Sequence, residues 1–124
     1  MILGFKPQFK EPILNGTKIH TIRADKNNRW HFGKLIQFAT GVRTKNYHRF
    51  KEGVCFGTQK IEIQYDYIQP MGHTVSVKID DRYLTLDEID LLAKNDGFEC
   101  KSEFFEWFDK DFTGKIIHWT KFRY

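Results

Sequence analysis

Apolar and polar residues alternate in several short runs along the chain, and each such run predicts a strand. Ile2–Phe5 is a short apolar run at the start. Ile19–Ala24 and Lys34–Thr40 read as two more, the second carrying Leu35, Ile36 and Phe38. Gln59–Tyr65 places Ile61 and Ile63 opposite Glu62 and Gln64, and Thr74–Ile79 places Val75, Val77 and Ile79 opposite Thr74, Ser76 and Lys78. Lys115–Phe122 closes the series, with Ile116, His118, Thr120 and Phe122 on one face and Ile117, Trp119 and Lys121 on the other.

Between these runs the period changes to that of a helix. Pro7 opens a short helix over Gln8–Leu14, made irregular by Pro12, and Asn15-Gly16 supplies a left-handed end. Thr85-Leu86-Asp87-Glu88 is a capping box, followed by Leu86, Ile89, Leu92 and Ala93 at helical spacing and by Gly97 as a stop. Ser102 caps a second helix with Phe104, Phe105 and Phe108 on its buried stripe, and Gly114 breaks it. Residues 41–57 have no clean period and three Gly, which predicts a long loop with some strand. About six strands and two or three helices that do not alternate predict an α+β fold around a small antiparallel sheet or barrel. No repeat or Pro/Ser-rich linker divides the chain, so residues 1–124 read as one domain.

Composition excludes several classes. A chain of 124 residues is long enough to bury a core without a disulfide or metal. With 40% hydrophobic and 16% aromatic residues it is not a disordered segment. No apolar run approaches the ~20 residues of a membrane helix, so no membrane partner is expected. The opening Met1–Pro7 lacks the basic and apolar regions of a signal peptide. Cys55 and Cys100 form no secreted framework, and a cytoplasmic protein with reduced thiols is expected, although two cysteines can pair. The five His show no metal-ligand spacing, and neither a phosphate-binding loop nor a G-x-S-x-G signature is present, so no metal or cofactor is expected.

Charge is divided unevenly. Residues 1–60 hold 12 Lys/Arg against Glu11, Asp25 and Glu52, while residues 61–124 hold 8 Lys/Arg against 13 acids. A basic half of this kind attracts anions, a nucleic acid or nucleotide above all. Within it, Lys18-Ile19-His20-Thr21-Ile22-Arg23 gathers four polar groups at a helix end running into a strand. Positions three apart on a strand face opposite ways, so Lys18 meets Thr21 only if it sits in the turn before the pleat. There a desolvated Lys is a base, a Thr hydroxyl beside it a nucleophile, and an Arg a bidentate clamp for phosphate or carboxylate. The same residues also read as an ordinary charged strand edge. Asp96 ends a helix against the dipole, either as turn chemistry in Asn-Asp-Gly or as an acid held for function. The loop Arg43–Lys51 interleaves Arg43, Lys45, Arg49 and Lys51 with Tyr47 and Phe50, and Lys26, Arg29 and Trp30 lie nearby in sequence. Such a pattern neutralises phosphates and stacks bases, or is a solvated loop with its aromatics in the core.

Phe5…Phe9…Ile13-Leu14-x-Gly16-x-Lys18-x-x-Thr21-Ile22-Arg23 resembles the opening motif of the ASCH domain family of the PUA-like superfamily. Leu86-Asp87…Leu92-Ala93-x-x-Asp96-Gly97-Phe98…Phe104-x-x-Trp107-Phe108 resembles its helical segment, and residues 41–72 match least. The resemblance implies a small mixed or antiparallel β-barrel flanked by helices, with RNA, a nucleotide or a modified nucleoside bound in a basic cleft beside the Gly16–Arg23 turn. In that reading Gly16, Arg23, Trp30, Arg43, Lys45 and Tyr47 contact the ligand: Arg23 and Lys18 hold phosphate, Thr21 hydrogen-bonds the ligand, and Trp30 or Tyr47 stacks a base. The alternative comes from the bacterial N4-acetylcytidine amidohydrolases, single ASCH domains thought to use a Lys, a Thr and a Glu. Lys18 and Thr21 fall on the first two, and Asp96 falls near the third, one methylene shorter.

Overall fold

The computed structural model describes residues 1–68 and 72–124. The architecture is α+β, with eight strands in two sheets and three α-helices among the described residues. The smaller sheet has the order β1 (Ile2–Phe5), β3 (Leu35–Thr40), β4 (His48–Val54). β1 runs parallel to β3, and β4 antiparallel to it with an irregularity between Phe38 and Ala39. The larger sheet has the order β2 (His20–Arg23), β8 (Phe112–His118), β5 (Gly57–Ile68), β6 (Gly72–Ile79), β7 (Arg82–Tyr83), antiparallel throughout. Neither sheet closes on itself among the described residues.

The core lies between the sheets and under the helices. Ile36 and Phe38 of the small sheet and Ile61, Ile63, Val77 and Ile116 of the large one are buried. α2 (Leu86–Asn95) starts at the expected capping box: the Thr85 hydroxyl accepts from the Glu88 N–H, and the Glu88 carboxylate accepts from the Thr85 N–H. It buries Ile89, Leu92 and Ala93 and packs on α3 (Lys101–Trp107), which buries Phe104. Ile89, Leu92 and Phe104 each contribute about 1.5–3 kcal/mol by leaving water, Ala93 less. Among the described residues, no helix is long and apolar enough to cross a membrane.

Several boundaries differ from expectation. The first helix is a 3-10 turn over Pro7–Phe9 followed by α1 (Lys10–Leu14). The strand within residues 41–57 is β4. α3 is capped at Cys100 without a side-chain bond, so Ser102 lies inside the helix. The helix ends at Trp107, well before Gly114, which sits within β8. A Cβ at Gly114 would collide with the Arg23 carbonyl oxygen, so this glycine lets β2 approach β8 rather than breaking a helix. β8 begins at Phe112 and ends at His118, short of Phe122. It lies between β2 and β5, and its C-terminal half is covered on both faces: Ile116, Ile117 and His118 are all buried, whereas Thr113 is exposed and Lys115 half-buried.

Candidate active site

Gly16 turns the chain at φ +83° after α1, and the backbone N–H of Lys18 then bonds the Pro12 carbonyl. The N–H of Ile19 bonds the Asn95 carbonyl, tying this turn to the end of α2. The strand starts only at His20. Lys18 therefore lies before the pleat, the condition under which it can share a site with Thr21. Thr21 and Arg23, two apart on β2, face the same way. Lys18, Thr21, Arg23 and Asp96 line one cavity of about 430 Å³.

Asp96 closes the floor. It is the C-cap of α2, and Gly97 follows at φ +95°. A Cβ on Gly97 would come within 3.1 Å of both Lys18 Cδ and Phe9 Cδ1, so the absent side chain makes room for the lysine stem. Lys18 Nζ donates to Asp96 Oδ1 at 2.9 Å and to the Asp96 carbonyl at 2.5 Å. The Phe9 ring lies 4.8 Å from the same nitrogen. The shorter acid thus reaches its lysine, because the tight Gly97 turn brings the helix end close. His20 Nδ1 also meets Asp96 Oδ1, at 3.2 Å. Arg23 stacks on Phe5 at 5.0 Å, donates from Nη2 to the Gly4 carbonyl at 2.6 Å, and donates from Nε to Thr21 Oγ1 at 3.3 Å.

Burial dominates the electrostatics. Lys18 is 2% exposed and Asp96 3%. Desolvation pulls the Lys18 ammonium below its ordinary pKa, against the pull of Asp96, with Arg23 adding to the fall. For Asp96 burial pushes upward, and Lys18 and His20 together outweigh it, so the carboxyl sits below its usual value. Burial lowers His20 as well.

The cavity walls are aromatic: Phe5, Phe9, Phe98, Trp107, Phe108 and Phe112 line it, with Lys6 beside them. Trp107 is 46% exposed and so stands at the rim. Its position is the one a stacking residue needs, and the sequence marked it only as part of the Phe104-x-x-Trp107-Phe108 motif.

The remaining expected ligand contacts lie elsewhere. Gly16 is exposed and shapes the turn without lining the cavity. Trp30 is 7% exposed and belongs to the core, because Asp25 accepts from the Arg29 and Trp30 N–H groups and folds the loop inward. Arg43, Lys45 and Tyr47 are exposed on the turn before β4, and none of them lines this cavity. The sequence reading also missed a buried polar arm behind Asp96, formed by His20, Tyr124, Asn95, Gln59 and His118. Its members are scattered from residue 20 to residue 124: the pairing of β2 with β8 sets His20 against His118, β5 brings Gln59 beside β8, and the end of α2 supplies Asn95. Both cysteines are free, and Cys55 is buried.

No protein-family profile, curated protein or solved structure matches the chain.

Proposed function

We propose that the chain is an ASCH-type domain that hydrolyses the acyl amide of a modified nucleoside such as N4-acetylcytidine. The observation that carries this reading is the buried Lys18–Asp96 pair sharing one aromatic cavity with Thr21. In the same reading the two sheets are the halves of a PUA-like barrel.

The chemistry follows from donor counts. Lys18 Nζ spends two hydrogens on Asp96. When the lysine is neutral, those two remain in place and the lone pair takes the third direction. Asp96 therefore orients the base. Thr21 attacks the acyl carbon as its proton passes to Lys18. Lys18 then gives that proton to the exocyclic nitrogen as the C–N bond breaks. Water releases the acid from the Thr21 ester and restores the hydroxyl. Arg23 donates to Thr21 Oγ1 and favours the alkoxide that develops there. The aromatic walls hold a flat base, and a cavity of about 430 Å³ suits a nucleoside better than a folded RNA.

The test is a single-turnover incubation with N4-acetylcytidine, read as the ultraviolet shift to cytidine, with Lys18→Ala as control. Turnover that disappears in the variant is the expected result. An unchanged spectrum at high enzyme concentration sinks the hydrolase reading.

A second reading, binding of RNA or a nucleotide, is favoured by Arg23 and Lys6, two cations at one cavity. There Arg23→Ala lowers the salt slope of RNA binding by about one unit. An unchanged slope removes Arg23 from the phosphate contacts.

A further inference from the structure

The Asp96 carboxylate is shared. Its Oδ1 lies 2.9 Å from Lys18 Nζ and 3.2 Å from His20 Nδ1. The other ring nitrogen of His20, Nε2, lies 2.5 Å from the Tyr124 hydroxyl, and that hydroxyl lies 3.1 Å from Asn95 Nδ2. Gln59 clamps Tyr124 by its backbone, accepting from its N–H at 3.0 Å and donating to its carbonyl at 3.1 Å. His20, Tyr124 and Asn95 stand outside the cavity lining, behind the carboxylate.

The hydrogens in this arm have one consistent arrangement. An ionised carboxylate only accepts, so His20 Nδ1 carries its hydrogen. Nε2 of that tautomer only accepts, so the Tyr124 hydroxyl donates to it. The Asn95 amide donates to the phenol oxygen. Every bond points toward Asp96. Burial favours the same assignment, since it keeps His20 neutral and holds the Tyr124 proton on its oxygen.

The groups that set the charge around Lys18 are few. Asp96 comes from the end of α2 and Arg23 from β2, while Lys6 lines the same cavity. His20 acts on the lysine through the oxygen they share. A donor on that oxygen withdraws negative charge that would otherwise hold the lysine proton.

We infer that His20, braced by Tyr124 and Asn95, is a positioning residue that fixes the Asp96 carboxylate and keeps Lys18 a readily deprotonated amine. Its catalytic meaning rests on the amidohydrolase reading; the charge relationship does not.

The experiment follows the Lys18 Nζ resonance of isotope-labelled protein across pH, assigned with Lys18→Met. In His20→Leu the Lys18 midpoint rises by about one pH unit. His20→Asn, whose Nδ2 takes the place of Nδ1, reverses most of that rise. An unmoved midpoint in folded His20→Leu overturns the inference, as does a rise that His20→Asn leaves in place. If neither variant folds, the unsubstituted protein decides: the His20 ring nitrogens must report the Nδ1–H tautomer, and the Nε2–H tautomer overturns the inference. A shifted midpoint without any hydrolysis of N4-acetylcytidine sinks the enzyme reading and leaves this one standing. Hydrolysis with an unmoved midpoint does the reverse.

Discussion

Lys18 Nζ and Asp96 Oδ1 lie 2.9 Å apart across a separation of 78 residues, both almost fully buried. One partner precedes a strand and the other ends a helix, so the pair locks two elements as well as two charges. Removing Lys18 leaves the buried Asp96 carboxylate with His20 but without its lysine, and removing Asp96 leaves the buried lysine without its carboxylate.

Lys18→Met is therefore expected to cost about 3–5 kcal/mol in chemical denaturation. Adding Asp96→Asn removes the stranded charge and keeps an acceptor for His20. The double variant is expected to be more stable than Lys18→Met alone. Strictly additive losses across the four proteins would show that the two side chains are not coupled.

Gly97→Ala and Gly16→Ala separate strain from crowding. Both sites have positive φ, and an alanine there costs about 1–2 kcal/mol. Around Gly16 there is open space, whereas a Cβ at Gly97 presses on Lys18 and Phe9. Gly97→Ala is expected to be the less stable of the two and to disturb the Lys18 resonance, while Gly16→Ala leaves that resonance in place. Equal spectra would place the lysine stem elsewhere.

Stability is expected to fall on acidification. Burial pushes His118 down from 6.5 to about 3, helped by His20 and Arg123, and lowers His20 in the same direction. A histidine depressed in the folded state contributes fully above its unfolded pKa and loses that contribution as pH falls through the window between the two values. Between roughly pH 6 and pH 3 the His118 slope is about 1.4 kcal/mol per pH unit. Among the described residues, the buried Nδ1 of His118 has no hydrogen-bond partner, so none of them stabilises a proton on that nitrogen. Urea midpoints measured across this range should drop in the unsubstituted protein and drop less in His118→Gln.

Trp107 and Trp30 differ in exposure, at 46% and 7%, and only the first lines the cavity. Titration with cytidine is expected to quench tryptophan emission in Trp30→Phe and to leave it unchanged in Trp107→Phe. Quenching retained in Trp107→Phe would move the base away from the rim.

Local signals in the chain were legible where the physics is local. The capping box at Thr85 and Glu88 needs only four residues, and the Gly16 and Gly97 turns need only their own φ. Strand period gave the condition for Lys18 to meet Thr21, a place before the pleat, but not whether the chain meets it. β8 was harder, because its C-terminal end is covered on both faces and keeps no polar side to mark where it stops. Trp30 was misplaced because its burial depends on Asp25 capping the loop, a bond no composition reveals. His20 looked like one more polar residue of β2, since its partners Asp96 and Tyr124 lie far along the chain. The carboxylate separation from Lys18 depended on the backbone turn at Gly97, so side-chain length alone could not decide it.

The pairing of β2 with β8 has a further consequence for how the chain acquires its chemistry. Among the described residues β2 has no other neighbour in its sheet, and its register joins His20 to His118 and Arg23 to Lys115. While a ribosome is still making the intervening residues, the strand carrying Thr21 has no partner, and such long-range closure is the slow part of folding. Lys18 depends on late sequence too, because its partner Asp96 is made 78 residues after it; until the end of α2 docks, Lys18 stays in water as an ordinary basic amine. Its lowered basicity arises only when late-made sequence buries it, so a partly made chain carries the lysine but not its altered proton affinity.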